Sequence, residues 1–170
     1  MVSDKGTTFV VFLGGLMHSN SMQLMQYFKE RHVISGSSVL DVGSAIVKQQ
    51  TDCYRPIFHD CNYVGMDIVS GRNVDIVGWE NVTQQYDYVI CGQVFEHVPY
   101  VFDLMDTIAG TMTCMCCIIV PNYGKEHRHP VDCWRIFPDG MRTLFHHAGI
   151  QEIEISKRGP DTLAIGATYE

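Results

Sequence analysis

The sequence predicts a single α/β domain built on one mostly parallel sheet. Three observations carry this. Val39-Leu40-Asp41-Val42 is a short apolar strand run that ends on Gly43, with the small residues Ser44 and Ala45 following. Further apolar runs at 63–68, 86–91 and 116–120 are separated by segments with turn or helix signals. Two last β-type runs, about 150–156 and 162–168, flank Gly159-Pro160-Asp161 and read as an antiparallel hairpin. In an open α/β sheet, a strand-to-helix turn such as that at Gly43 is where a ligand binds, against the amides of the next helix.

Length and composition fit this. A chain of 170 residues, with 46% hydrophobic and 18% charged residues, can bury the core of one domain. A formal net charge of −7 argues against a general binder of nucleic-acid backbones, which needs a basic face. Seven cysteines without a CxxC pair read as reduced structural thiols, with Cys91, Cys116 and Cys117 inside apolar runs. Phe9–Leu13 is too short to span a bilayer and lacks the flanks of a signal peptide, so it is expected to dock onto the domain. A cytoplasmic location follows by default.

Along the chain, Asn20 and Ser21 supply N-cap chemistry before Met22, Leu24, Met25 and Phe28, which places an amphipathic helix over 20–32. Residues 1–36 thus form an N-terminal segment and helix expected to cover the ligand side, with the core at 37–170. The first strand is 38–42, and a short helix is expected near 45–52. Strands at 63–68 and 73–77 are joined only by 69–72, too few residues for a crossover helix. The fourth strand, 86–91, precedes a helix over 99–110 that opens on Pro99 and carries Val101, Leu104, Met105 and Ile108 on one face. The fifth, 116–120, is continuously apolar, as a sheet interior requires. A polar loop from Tyr123 to Ile136 leads to a helix opened by Pro138 and closed near Gly149.

Asp41-Val42-Gly43-Ser44 resembles the first glycine motif of class I S-adenosylmethionine-dependent methyltransferases. Asp67, an acid ending the next strand, and the stretch Tyr86-Asp87-Tyr88-Val89-Ile90-Cys91-Gly92-Gln93-Val94-Phe95-Glu96-His97-Val98 resemble later motifs of the small-molecule branch. His129-Pro130-Val131-Asp132-Cys133-Trp134-Arg135 looks like a substrate-side loop of short members, some of which serve glycan biosynthesis. The resemblance covers about 37–150. It implies a Rossmann-like, seven-stranded, mostly parallel sheet with a terminal antiparallel strand, and S-adenosyl-L-methionine as cofactor. Glycines usual in the family are replaced by Ala45 and Val47, a tolerable departure because this cofactor carries no pyrophosphate.

The resemblance assigns Asp67 to the ribose hydroxyls, with Ile68 beside it, and Gly43 and Ser44 to the amino-acid part. Asp41 either holds the turn, receives the cofactor ammonium or caps the next helix. Asp75 is expected near the adenine or in a turn, and Gly92 and Gln93 near the methionine and methyl group. Methyl transfer to oxygen is an in-line displacement at a sulfonium, helped by a base for the acceptor proton. His97 is the first candidate base, with Glu96 orienting it or capping a helix; His129 and Asp132 form a second set. Tyr123, His127, Arg128, Trp134 and Arg135 are expected to contact a small-molecule or saccharide acceptor. The two His and one Asp of that loop have metal-ligand chemistry, but they sit on no regular element, so no metal is assigned. A homodimer is compatible with the sequence. The competing readings are a non-catalytic cofactor-binding or scaffolding domain and, against the glycine spacing, a nicotinamide-dependent dehydrogenase.

Overall fold

Alternation along the central strands sorts their side chains onto two buried faces, and helices cover both. In the computed structural model, which describes residues 16–46 and 53–169, seven strands form one sheet. They are β1 (Ser38–Val42), β2 (Asn62–Asp67), β3 (Ile76–Val77), β4 (Tyr86–Gly92), β5 (Met112–Pro121), β6 (Gln151–Arg158) and β7 (Asp161–Ala167). The spatial order is β3-β2-β1-β4-β5-β7-β6. β1 to β5 pair in parallel, and β7 runs antiparallel to both β5 and β6. The sheet is the mostly parallel, seven-stranded one expected, with its antiparallel strand at the end of the chain.

On one face Val39, Tyr88, Ile90, Cys117, Ile119, Leu163 and Ile165 pack under α1 (Leu16–His32), which contributes Met25 and Phe28. On the other, Leu40, Val42, Val89, Cys91, Cys116, Ile118 and Val120 pack under α2 (Val101–Thr111) and α3 (Pro138–His147). Adjacent residues on one strand thus serve different layers, as a period of two demands. Cys91, Cys116 and Cys117 are buried in these layers, and burial pushes each thiol up. All seven cysteines are free thiols.

Two expected elements differ. The third strand is reduced to Ile76–Val77, because Asn73 takes a left-handed conformation (φ 70°) and turns residues 73–75 out of the extended path. As expected, no helix joins β2 to β3. The helix expected at 45–52 falls largely outside the described residues, as does the Phe9–Leu13 segment; a short 3-10 turn, Arg55–Phe58, follows and places Phe58 beneath α1. The remaining helices and strands lie within a few residues of their expected bounds. No described helix is long and apolar enough to cross a membrane.

Candidate functional site

The chain builds outward from β1 in one direction to β2 and β3, and in the other to β4 and β5. The crevice between the carboxyl ends of β1 and β4 is therefore the topological switch point where open α/β sheets bind ligands. Glycine stands at both strand ends. Gly43 has φ 77°, and a Cβ there would fall 2.2 Å from Val94 Cγ2. A Cβ on Gly92 would fall 2.0 Å from the Tyr54 hydroxyl. Both positions need a residue without a side chain. A cavity of about 110 Å³ opens here, lined by Asp41, Gly43, Ser44, Gly92 and Gln93 together with Ser21, Met22, Ala45, Cys53 and Tyr54.

The β1 turn is tied to β2. Met66 O accepts hydrogen bonds from the Gly43 and Ser44 amides at 2.8 and 3.0 Å. Asp67 Oδ2 accepts from the Ala45 amide at 3.1 Å, and its Oδ1 from the Val69 amide at 3.2 Å. Each oxygen retains acceptor capacity, since a carboxylate has about four lone-pair sites. Asp41 is buried and accepts a short hydrogen bond from the Tyr63 hydroxyl. Burial pushes its carboxyl up to about 7, against the opposing pull of the Tyr63 hydroxyl and the Arg55 charge. Asp75 accepts from the Gly65 amide at 2.8 Å and pairs with Arg55, bracing the β2–β3 link. Asp67, Ile68 and Asp75 do not line the cavity, and Ile68 is 72% exposed.

Gln93 stands out for its backbone. It is not glycine, yet its φ is 61°, a conformation that persists only where the surroundings hold it. Its amide donates to Ile119 O at 2.8 Å and its Nε2 to Asp161 Oδ1 at 3.1 Å. Asp161, at the start of β7, also accepts from Asn20 Nδ2 of α1 at 2.6 Å. One buried carboxylate thus joins the end of β4 to the helix over the cavity.

Beyond β4 the short 3-10 turn Phe95–His97 leads to α2, and the loop 123–136 folds back onto it. The Cys133 amide donates to Glu96 O at 2.6 Å, and the His97 ring Nδ1 to Val131 O at 2.7 Å. His97, His127 and His129 meet edge-on, with ring centroids 5.0, 5.5 and 6.3 Å apart. The Glu96 side chain, fully buried, points between the first two: its Oε1 lies 3.7 Å from His97 Nε2 and 3.7 Å from His127 Nε2. Asp132 braces the loop. It accepts from the His127 amide at 2.6 Å and from both Arg135 Nη atoms at 2.5 and 2.8 Å. The Arg135 guanidinium holds the Asp132 carboxyl well below the usual carboxylate range, which makes it a poor proton acceptor. The Glu96 carboxylate raises His127 above its ordinary value, against the desolvation of its ring. Arg128 pairs with Glu126 at the surface, Trp134 Nε1 donates to Val98 O at 2.9 Å, and Tyr123 is 75% exposed.

Two further residues line the cavity: Ser21, expected as N-cap chemistry but placed inside α1, and Tyr54; they share a short hydroxyl–hydroxyl bond between α1 and the 53–58 segment. Nothing local to either marks it, because the contact spans 33 positions. For Glu96 the sequence predicts an orienting or capping group; its complete burial is set by tertiary packing.

No protein-family model and no curated protein sequence matches this chain. Solved structures do. It superposes on magnesium protoporphyrin IX methyltransferase from Synechocystis PCC 6803, with S-adenosylmethionine bound, at a TM-score of 0.67 and 14% identity. That match covers 98% of this chain and 87% of the other. The complex of the Haloferax volcanii Trm112 methyltransferase activator with its putative methyltransferase gives 0.68 and 15% identity, covering 93% and 92%. The N-terminal domain of EvdMO1, with S-adenosylhomocysteine and D-fucose, gives 0.62 and 14%, covering 89% and 84%. The chain has the class I S-adenosylmethionine-dependent methyltransferase fold.

Proposed function

We propose that this protein is an S-adenosylmethionine-dependent O-methyltransferase acting on a hydroxyl of a saccharide or other small molecule. The observation that carries this reading is the cavity between Gly43 and Gly92, at the switch point of a methyltransferase-fold sheet, with three imidazoles gathered just past β4. The residues present fit the cofactor. Gly43 and Gly92 put backbone on the cavity wall, and the remaining lone pairs of Asp67 suit two ribose hydroxyls. Bound there, the cofactor would supply an electrophilic methyl on sulfur.

The chain's own work is then to hold the acceptor in line and take its proton. The exposed His129, edge-on to His97, is the base in this reading, while Asp132 and Arg135 hold the loop that carries it. Tyr123 and Trp134 offer flat, partly exposed surfaces of the kind on which sugar rings pack. The presence of D-fucose in the EvdMO1 domain structure supports a sugar acceptor by analogy of fold. Action in the cytoplasm agrees with the seven unpaired thiols.

Calorimetry of the purified chain with S-adenosylhomocysteine should give saturable one-to-one binding, and its absence would end the proposal. A panel of sugar, phenol and amine acceptors with labelled cofactor should then show transfer to a hydroxyl. In His129→Ala, kcat should fall about 100-fold with little change in cofactor affinity, a typical loss for a general base.

A further inference from the structure

We infer that Glu96, His97 and His127 form a binding site for a divalent transition-metal ion of the zinc type. The first ground is an unbalanced charge. Glu96 has no solvent exposure, and neither of its carboxylate oxygens has a hydrogen-bond partner among the described residues. A buried carboxylate left in that state is costly, and native chains compensate it with a proton, a counter-charge or a metal.

The second ground is the way the two imidazoles face it. A carbonyl carries no proton, so the His97 Nδ1 that lies 2.7 Å from Val131 O must be the protonated nitrogen. In the neutral ring, Nε2 then turns its lone pair toward Glu96 Oε1. His127 repeats the pattern, with Nδ1 3.3 Å from Lys125 O and Nε2 toward the same oxygen. With both rings neutral, two lone pairs and a carboxylate converge on one point, and only a cation between them, a proton or a metal ion, relieves the repulsion. At 3.7 Å both nitrogens are too far from Oε1 for a direct hydrogen bond.

The third ground is size. Metal–ligand bonds of about 2.0–2.1 Å at tetrahedral or wider angles space the ligand atoms about 3.4–3.7 Å apart. One ligand atom from each of the three residues lies within 4.8 Å of the other two, so modest side-chain movement completes the set. The backbone carbonyls that hold each Nδ1–H are the outer partners that metal-bound histidines use to fix their tautomer.

Two imidazoles and one carboxylate favour zinc, cobalt or iron(II) over magnesium or calcium, which take oxygen ligands. Three protein ligands leave coordination positions open, as catalytic metal sites do. His127 is only partly buried, so the site is reachable from solvent. An open position would hold the acceptor oxygen; that use rests on the methyltransferase reading, whereas the ion site does not.

The test uses the full chain, freed of metal by chelation and titrated with Co²⁺ while visible ligand-field absorbance is followed. Saturable one-to-one binding, reversed by Zn²⁺, is expected. His127→Ala should weaken Co²⁺ at least about tenfold and change the band shape, and Glu96→Gln should do the same. His147→Ala, at a surface pair with Asp106, should leave binding unchanged. If Glu96→Gln does not fold, His127→Ala decides, because its side chain lies on the partly exposed loop. Absence of saturable binding, or unchanged affinity in His127→Ala, overturns the proposal. Calorimetry with S-adenosylhomocysteine on the metal-free chain runs beside it: cofactor binding without Co²⁺ binding removes only the metal site, and the reverse removes only the methyltransferase reading.

Discussion

The carboxylates at the two halves of the sheet's carboxyl edge are treated differently. On the β1–β2 half, Asp41, Asp67 and Asp75 each accept a hydrogen bond from the chain itself, from Tyr63, from the Ala45 and Val69 amides, and from Gly65 and Arg55. On the β4–β5 half, Asp161 is likewise satisfied, by Gln93 and Asn20, whereas Glu96 is fully buried and accepts none among the described residues. The first half is a finished scaffold whose acids hold loops in place. The second has an acid and two imidazoles aimed at a common point, with their satisfaction left to something the chain binds. In the function proposed above, preorganised backbone on one side would serve as cofactor cradle and the unsatisfied charge on the other as part of the reacting centre.

The largest expected effect probes the scaffold half. Folded Asp41 keeps its proton up to about pH 7, whereas an unfolded aspartate releases it near pH 4. The folded state thus binds the extra proton between those values, and unfolding free energy attributable to Asp41 is highest below about pH 4 and falls as pH rises toward 7. Subtracting the denaturation curves of Asp41→Asn should isolate a slope totalling on the order of 4 kcal/mol over that window. A difference curve that is flat, or rises with pH, would put the proton elsewhere.

Asp67→Ala comes next. Loss of two charge-assisted acceptors should weaken S-adenosylhomocysteine about 100-fold in calorimetry while leaving Co²⁺ binding intact. Loss of both would mean that the two halves are one unit. Glu96→Gln sharpens the contrast from the other side. In the chelated chain it should cost little stability, within about 1–2 kcal/mol, because it removes a buried charge rather than a satisfied one. Added Zn²⁺ should raise the melting temperature of the parent chain but not of this variant. The smallest effect belongs to Arg128→Ala, which breaks an exposed pair with Glu126 and should change stability by under about 0.5 kcal/mol. A rise in acceptor KM with the melting temperature unchanged would mark Arg128 as an acceptor contact.

The strands were legible where local chemistry decides them. The runs Val39–Val42, Asp41 apart, and Cys116–Val120 are apolar on both faces because both faces are covered, and they read as central strands without tertiary information. β3 is shorter than its sequence run because Asn73, an unremarkable polar residue in sequence, adopts the left-handed turn that Arg55 and Ser44 hold from elsewhere in the chain. The glycine turn and Gly92-Gln93 were visible as strand ends, and both line the cavity. Asp132 and Arg135 looked like reactive groups by type; their mutual bonding, which locks the loop instead, depends on how residues 125–135 fold back. Glu96 was the least legible. A glutamate beside a histidine gives no sign that its carboxylate will be fully enclosed.

The reversed strand β7 has a consequence for the order in which the protein becomes functional. Running antiparallel, it delivers its first residue, Asp161, to the same edge of the sheet as the carboxyl ends of β4 and β5, where Asp161 fastens Gln93 and Asn20. These contacts join residues 68 and 141 positions apart. A ribosome that has made β1 through β5 has therefore supplied the parts of the crevice but not its clasp. The left-handed backbone at Gln93 and the seating of α1 both wait for a strand that must insert between β5 and β6. Such long-range closure is slow relative to local structure, so a nascent chain would acquire ligand affinity as a late, single event rather than strand by strand.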